Sequence, residues 1–122
     1  MTILLVEDSR IERQLLATLL RRRGYDVRVA PSGHGAVHFL CAVRPDLVIL
    51  DLYMSDVNGV EVLRMMKQEL AWRDIPVIVF SGSREQRREV EQLGAHAFIL
   101  KGRRGWDALS KAIPACAPTQ AA

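Results

Sequence analysis

A chain of 122 residues with 17 Lys and Arg against 14 Asp and Glu, net charge +3, is a single domain able to bury roughly two thirds of the surface its unfolded form exposes. The arginines are scattered among acids, which argues against nucleic acid as a partner, and no apolar run is long enough to span a membrane or act as a secretory leader. Cys41 and Cys116 lie far apart and form no C-x-x-C pair, which excludes a disulfide scaffold or zinc staple and fits a reduced, cytoplasmic protein.

Five short apolar or β-branched runs read as strands: Ile3 to Val6, Val27 to Ala30, Leu47 to Leu50, Val77 to Phe80 and Ala97 to Leu100. Helical patterns separate them. In the first interval Ile11, Leu15 and Leu19 recur at helical spacing, with Leu16 and Leu20 widening the stripe, until Arg21-Arg22-Arg23-Gly24 supplies a basic last turn and a glycine stop. The second helix carries Ala36, Leu40 and Val43 and ends at Pro45. The third carries Val62, Leu63, Met66 and Leu70, the fourth Val90 and Leu93, and the fifth Leu109 and Ile113, cut off by Pro114. Pro114 to Ala122 reads as a flexible C-terminal tail after a domain of residues 1–113. Strands without an alternating polar face, joined by helical crossovers, predict an open parallel α/β sandwich.

In such a sheet the functional cleft lies beyond the carboxyl ends of the strands. Glu7 and Asp8 follow the first strand, Asp51 the third, Ser81 and Gly82 the fourth, and Lys101 the fifth. Three carboxylates, a hydroxyl and an ammonium therefore meet at one rim. Clustered carboxylates repel unless they share a proton or a divalent cation, and an all-oxygen ligand set suits Mg2+. With Lys101 and Mg2+ the three acidic charges sum to zero. Taken singly, each residue has a plainer use as a helix cap, a turn residue or a solvated strand end; their convergence is what points to chemistry.

The segments LLVEDS, DLVILDLYMSDVNG, VIVFSGS and GAHAFILK resemble the receiver domains of two-component response regulators, and the likeness runs from Thr2 to about Ile113. The resemblance implies a five-stranded sheet of order 2-1-3-4-5 and a phosphoacceptor at Asp51. It implies Mg2+ held by Glu7, Asp8, Asp51 and the Tyr53 backbone carbonyl, with Ser81 and Lys101 gripping the phosphoryl group and Phe98 as an aromatic switch. Gly82 would leave a path for the incoming group, flanked by Tyr53 and Ser83. The implied partners are a sensor histidine kinase or histidine phosphotransfer protein, and a downstream protein reading the face of helix 4, strand 5 and helix 5. The protein is expected to be a monomer or weak dimer and to act as a signalling switch, catalysing only its own phosphorylation and dephosphorylation. With a single domain in the sequence, output is expected to pass through protein contacts.

Two positions depart from the family pattern: Ser55 and Gly102 stand where prolines are usual. A cis bond before a non-proline residue costs on the order of 3 kcal/mol, so Lys101-Gly102 is expected to be trans, with the loop Gly102 to Gly105 rerouted or mobile. Trp106 is expected to pack beneath that loop, the alternative being an exposed docking residue. Two rival readings have their own marks. A phosphatase of the haloacid-dehalogenase type needs a second aspartate where Tyr53 stands, whereas a receiver-shaped interaction module would signal without phosphorylation. His34, His38 and Cys41 share the outer side of the second helix, and a solvated face accounts for them better than a soft-metal site.

Overall fold

The computed structural model describes residues 1–117. Strands β1 (Thr2–Val6), β2 (Asp26–Ala30), β3 (Leu47–Leu50), β4 (Val77–Ser81) and β5 (Ala97–Leu100) alternate with helices α1 (Arg10–Arg22), α2 (Gly33–Ala42), α3 (Gly59–Gln68), α4 (Arg87–Gln92) and α5 (Gly105–Ala112). The strands form one parallel sheet in the order β2-β1-β3-β4-β5, as expected.

Successive strand residues point to opposite faces, so each strand feeds two cores. Leu4, Val6, Val48, Leu50 and Val79 pack with Ala36, Leu40, Leu63, Met66 and Val90 of α2, α3 and α4. Ile3, Leu5, Leu47, Ile49 and Ile78 pack with Leu16, Ala17 and Leu20 of α1 and with Leu109 of α5. β1, β3 and β4 are buried on both sides, which explains their unbroken apolar runs. β2 is an edge strand with Asp26, Arg28 and Val29 exposed.

Four expectations are corrected. α3 ends at Gln68, so Leu70 lies beyond the helix predicted to carry it and is 72 % exposed. Of the expected stripe on α1, Leu16 and Leu20 are buried together with Ala17, whereas Ile11 and Leu15 are 79 % and 58 % exposed. Adjacent leucines at 15–16 and 19–20 offer two stripes of the same period, and periodicity does not say which one meets the sheet. α2 stops at Ala42 rather than at Pro45: the proline excludes Arg44 from helical geometry, and the chain is already extended one residue earlier, at Val43. The predicted tail starts too early: Ile113–Cys116 form a 3-10 turn that buries Cys116 against the α1–α5 core. Residues 118–122 of that tail lie outside the described residues. No helix among the described residues is long and apolar enough to cross a membrane.

The loop between β3 and α3 is fastened to α2 by Asp56, whose carboxylate accepts from the Gly33 and His34 amides at 3.1 and 2.9 Å. These bonds cap α2 and, led by the His34 amide, hold the Asp56 carboxyl down to about 2. A depressed acid stabilises the fold above its unfolded value near 3.8 and loses that contribution as pH falls through about 2. The difference in melting temperature between wild type and Asp56→Asn is therefore expected to be full at neutral pH and to vanish toward pH 2. A difference that does not vary with acidification would contradict it.

Candidate functional site

The ends of β1, β3 and β4 lie at matching levels, since Val6 pairs with both Ala30 and Leu50, and Leu50 with Val79. The residues that follow them consequently emerge at one rim. Glu7, Asp8 and Asp51 each present a carboxylate oxygen, all within 4.8 Å of one another. Glu7 and Asp51 are buried, at 2 % and 5 % exposure. Burying two like charges this closely is unfavourable without counter-charge.

Lys101 supplies one. Its Nζ lies 2.9 Å from Glu7 Oε2 and 3.6 Å from Asp51 Oδ1. It also meets Glu12 Oε2 at 2.8 Å, a contact that sequence reasoning missed. The available signal was Ser9-x-x-Glu12, the spacing of a helix capping box, in which the glutamate would turn back to the Ser9 amide. Here the Glu12 amide does donate to Ser9 Oγ at 3.4 Å, but the Ser9 amide donates to Glu7 Oε1 at 3.1 Å. The Glu12 carboxylate reaches Lys101 instead.

The electrostatics follow from this packing. Burial pushes Glu7 up to about 7, opposed by its bond to Lys101 and reinforced by Asp51. Asp51 is raised mainly by burial, against the pull of Lys101 and of the Tyr53 and Leu52 amides, with Asp8 adding repulsion. Burial favours the neutral form of Lys101, yet its contacts with Glu12, Glu7 and Asp51 outweigh that and raise it. Glu12 is lowered, chiefly by its bond to Lys101.

Asp8 is tied to the loop between β3 and α3, its carboxylate accepting from the Ser55 amide at 3.0 Å. Arg13 donates to the Glu7 backbone carbonyl at 3.0 Å and steadies the turn from below. Behind Asp51, helix α3 begins at Gly59, with Asn58 capping it by accepting from the Val60 amide. The Gly59 amide donates to the Leu52 carbonyl at 2.7 Å, and the approach is so close that an added Cβ would sit 2.3 Å from the Asp51 carbonyl oxygen.

Ser81 is fully buried at the end of β4, where its Oγ accepts from the Ser83 amide at 3.4 Å rather than bonding a site carboxylate. The Lys101 amide donates to the Ser81 carbonyl at 2.7 Å, closing the β4–β5 ladder. Phe98 is half-buried against the α2–α4 core, with the Arg87 guanidinium 5.7 Å from its ring centre. Tyr53 is 44 % exposed and its hydroxyl meets Glu85 at 3.5 Å. Gly82 is exposed, and an added Cβ there would meet nothing within 4 Å.

The Lys101-Gly102 bond is trans, as expected, and Gly102 has φ +140°, a conformation that glycine takes readily and proline cannot. Trp106 packs partly into the α1–α5 core, with Arg23 5.5 Å above its ring. Beside it a groove lined by Leu15, Leu19 and Phe80 opens next to Lys101 and Glu12. His34, His38 and Cys41 are exposed, and the acidic trio is the one metal-competent cluster among the described residues.

This arrangement is chemically specific: a buried carboxylate aimed at a rim, two more beside it, and an ammonium between them. Residues 3–113 match the family described as the response regulator receiver domain. The chain is 35 % identical over 105 residues to the protein-glutamate methylesterase/protein-glutamine glutaminase of Trichodesmium erythraeum, covering 81 % of this chain and 29 % of that protein. It is 28 % identical over 102 residues to the polar-differentiation response regulator DivK of Brucella anthropi, covering 82 % and 83 %. The chain spans less than half the length of several other curated relatives that it matches. Among solved structures, the response regulator TrrA of Thermotoga maritima in complex with Mg2+-BeF superposes with a TM-score of 0.86 at 26 % identity, covering 95 % of this chain and 98 % of that one.

Proposed function

The chain belongs to the response regulator receiver family of two-component systems, and from that premise we propose that it is a switch whose Asp51 accepts a phosphoryl group from a phosphohistidine. The single observation carrying this reading is the buried Asp51 carboxylate, with Lys101 and the Glu7–Asp8 pair gathered around it.

An Asp51 carboxylate oxygen attacks phosphorus as the nitrogen–phosphorus bond of the donor breaks. The bonding pair leaves on the imidazole nitrogen, which takes up a proton. The product is an acyl phosphate, which water can hydrolyse. Such transfer depends on alignment and on neutralising the phosphoryl oxygens rather than on covalent help. Glu7, Asp8 and Asp51, with the Tyr53 carbonyl, would hold Mg2+, a hard cation for an all-oxygen set, which when bound supplies positive charge opposite those oxygens. Lys101 supplies the protein's own charge, and the Ser81 hydroxyl a hydrogen-bond donor. Nothing inside the fold requires glycine at position 82, so its lack of a side chain is best explained by passage of the incoming group between Tyr53 and Ser83.

An aspartyl phosphate carries up to about two negative charges and three acceptor oxygens, a stronger partner for Ser81 than the Ser83 amide is. Drawing Ser81 toward it frees space for Phe98 to turn inward, altering the α4–β5–α5 face that a downstream protein would read.

Incubation with acetyl phosphate and Mg2+, followed by intact mass, tests the reading: wild type gains one phosphoryl group and Asp51→Asn gains none. Nuclear magnetic resonance spectra of the same samples should show shifts at Phe98 in wild type alone. Equal labelling of both proteins, or of neither, would refute the reading, and the latter outcome would favour a module that signals without phosphorylation.

A further inference from the structure

The charge balance drawn from three carboxylates, one lysine and a divalent cation is incomplete, because Glu12 brings a fourth carboxylate to Lys101. The ammonium sits closer to Glu12, at 2.8 Å, than to Asp51, at 3.6 Å. Glu12 is held there by the local fold. It occupies the first turn of α1 behind the Ser9 cap, and Glu7 has taken the Ser9 amide that its carboxylate would otherwise bond. Its side chain is 49 % exposed, so water can replace Lys101 at little cost, whereas Glu7 on the other side of the ammonium is 3 % exposed and has no such substitute.

From this geometry we infer that Glu12 is a positioning residue, the resting partner of the Lys101 ammonium, whose contact must be given up before Lys101 engages the phosphoryl group on Asp51. The inference rests on the phosphoacceptor reading above. A contact present at rest and absent with the phosphoryl group in place favours the unmodified form. Removing it therefore speeds acquisition of the group and tightens the modified state. The gain is bounded by the strength of a solvent-facing ion pair, about two- to fivefold.

Glu12→Gln tests this with the fold preserved, since the Ser9 cap is met by the Glu12 backbone amide rather than its side chain and glutamine has the same shape. Phosphoryl uptake from acetyl phosphate, followed by intact mass, is expected to rise by about two- to fivefold, and beryllofluoride affinity in Mg2+ by a similar factor. In the metal-free protein the nitrogen resonance of the Lys101 ammonium should move, a signature that a purely structural role for Glu12 would not produce. In a Lys101→Met background the effect of Glu12→Gln on uptake should disappear. Equal uptake and equal beryllofluoride affinity in wild type and Glu12→Gln, an unmoved Lys101 resonance, or an effect that persists without Lys101 would each overturn the role of Glu12 while leaving the phosphoacceptor reading intact. Failure of the wild type to take up a phosphoryl group would overturn both.

Discussion

Lys101→Met takes up a phosphoryl group from acetyl phosphate about a hundredfold more slowly than wild type, the loss expected when one preorganised charge is removed from a reacting oxyanion. The lysine is well placed to have this effect because it is only 18 % exposed and its ammonium stands between two buried carboxylates. Methionine keeps the unbranched apolar stem as far as Cε while deleting the ammonium, so packing along the stem is retained and the charge is lost. Time courses of intact mass provide the rate, and circular dichroism confirms that the sheet and helices survive. A rate indistinguishable from wild type would remove Lys101 from the chemistry.

Gly59→Ala carries the largest expected cost in stability. Its new methyl would lie 2.3 Å from the Asp51 carbonyl oxygen and 2.8 Å from the Leu52 Cα, both backbone atoms that no side-chain rotation can clear. Relief requires α3 to retreat from the loop that follows β3, an overpacking change worth about 3 kcal/mol or a melting temperature roughly 10 °C lower. The same displacement moves the peptide carrying Asp51, so phosphoryl uptake falls as well. Gly82→Ala is the control: with nothing within 4 Å of the added atom, its melting temperature should stay at the wild-type value. A Gly59→Ala protein as stable as wild type would mean that the loop and helix do not press together as described.

Sequence alone revealed the sheet order through a resemblance, and the five strands through uninterrupted apolar runs that only a doubly covered sheet can use. It also brought Glu7, Asp8, Asp51 and Lys101 to one rim, because strand ends in a parallel sheet share a side. What it could not resolve were choices decided by neighbours. Leu15 and Leu16 are equally leucine, and only docking against the sheet distinguishes the exposed one from the buried one. Cys116 looked like part of a linker because Pro114 ends helical periodicity, yet the turn after Ile113 folds it back under the sheet. Glu12 carried a capping-box signature, and its diversion to Lys101 depends on a competitor, Glu7, occupying the amide it would have used.

The bond from the Lys101 amide to the Ser81 carbonyl, 2.7 Å long, makes a rigid crosspiece between two neighbouring strands. The roots of the hydroxyl and the ammonium keep a fixed spacing while their tips swing. On the phosphoacceptor reading proposed above, a pull on the Ser81 hydroxyl would therefore reach the base of Lys101 through main chain alone, coupling the two side chains as a yoke couples two animals.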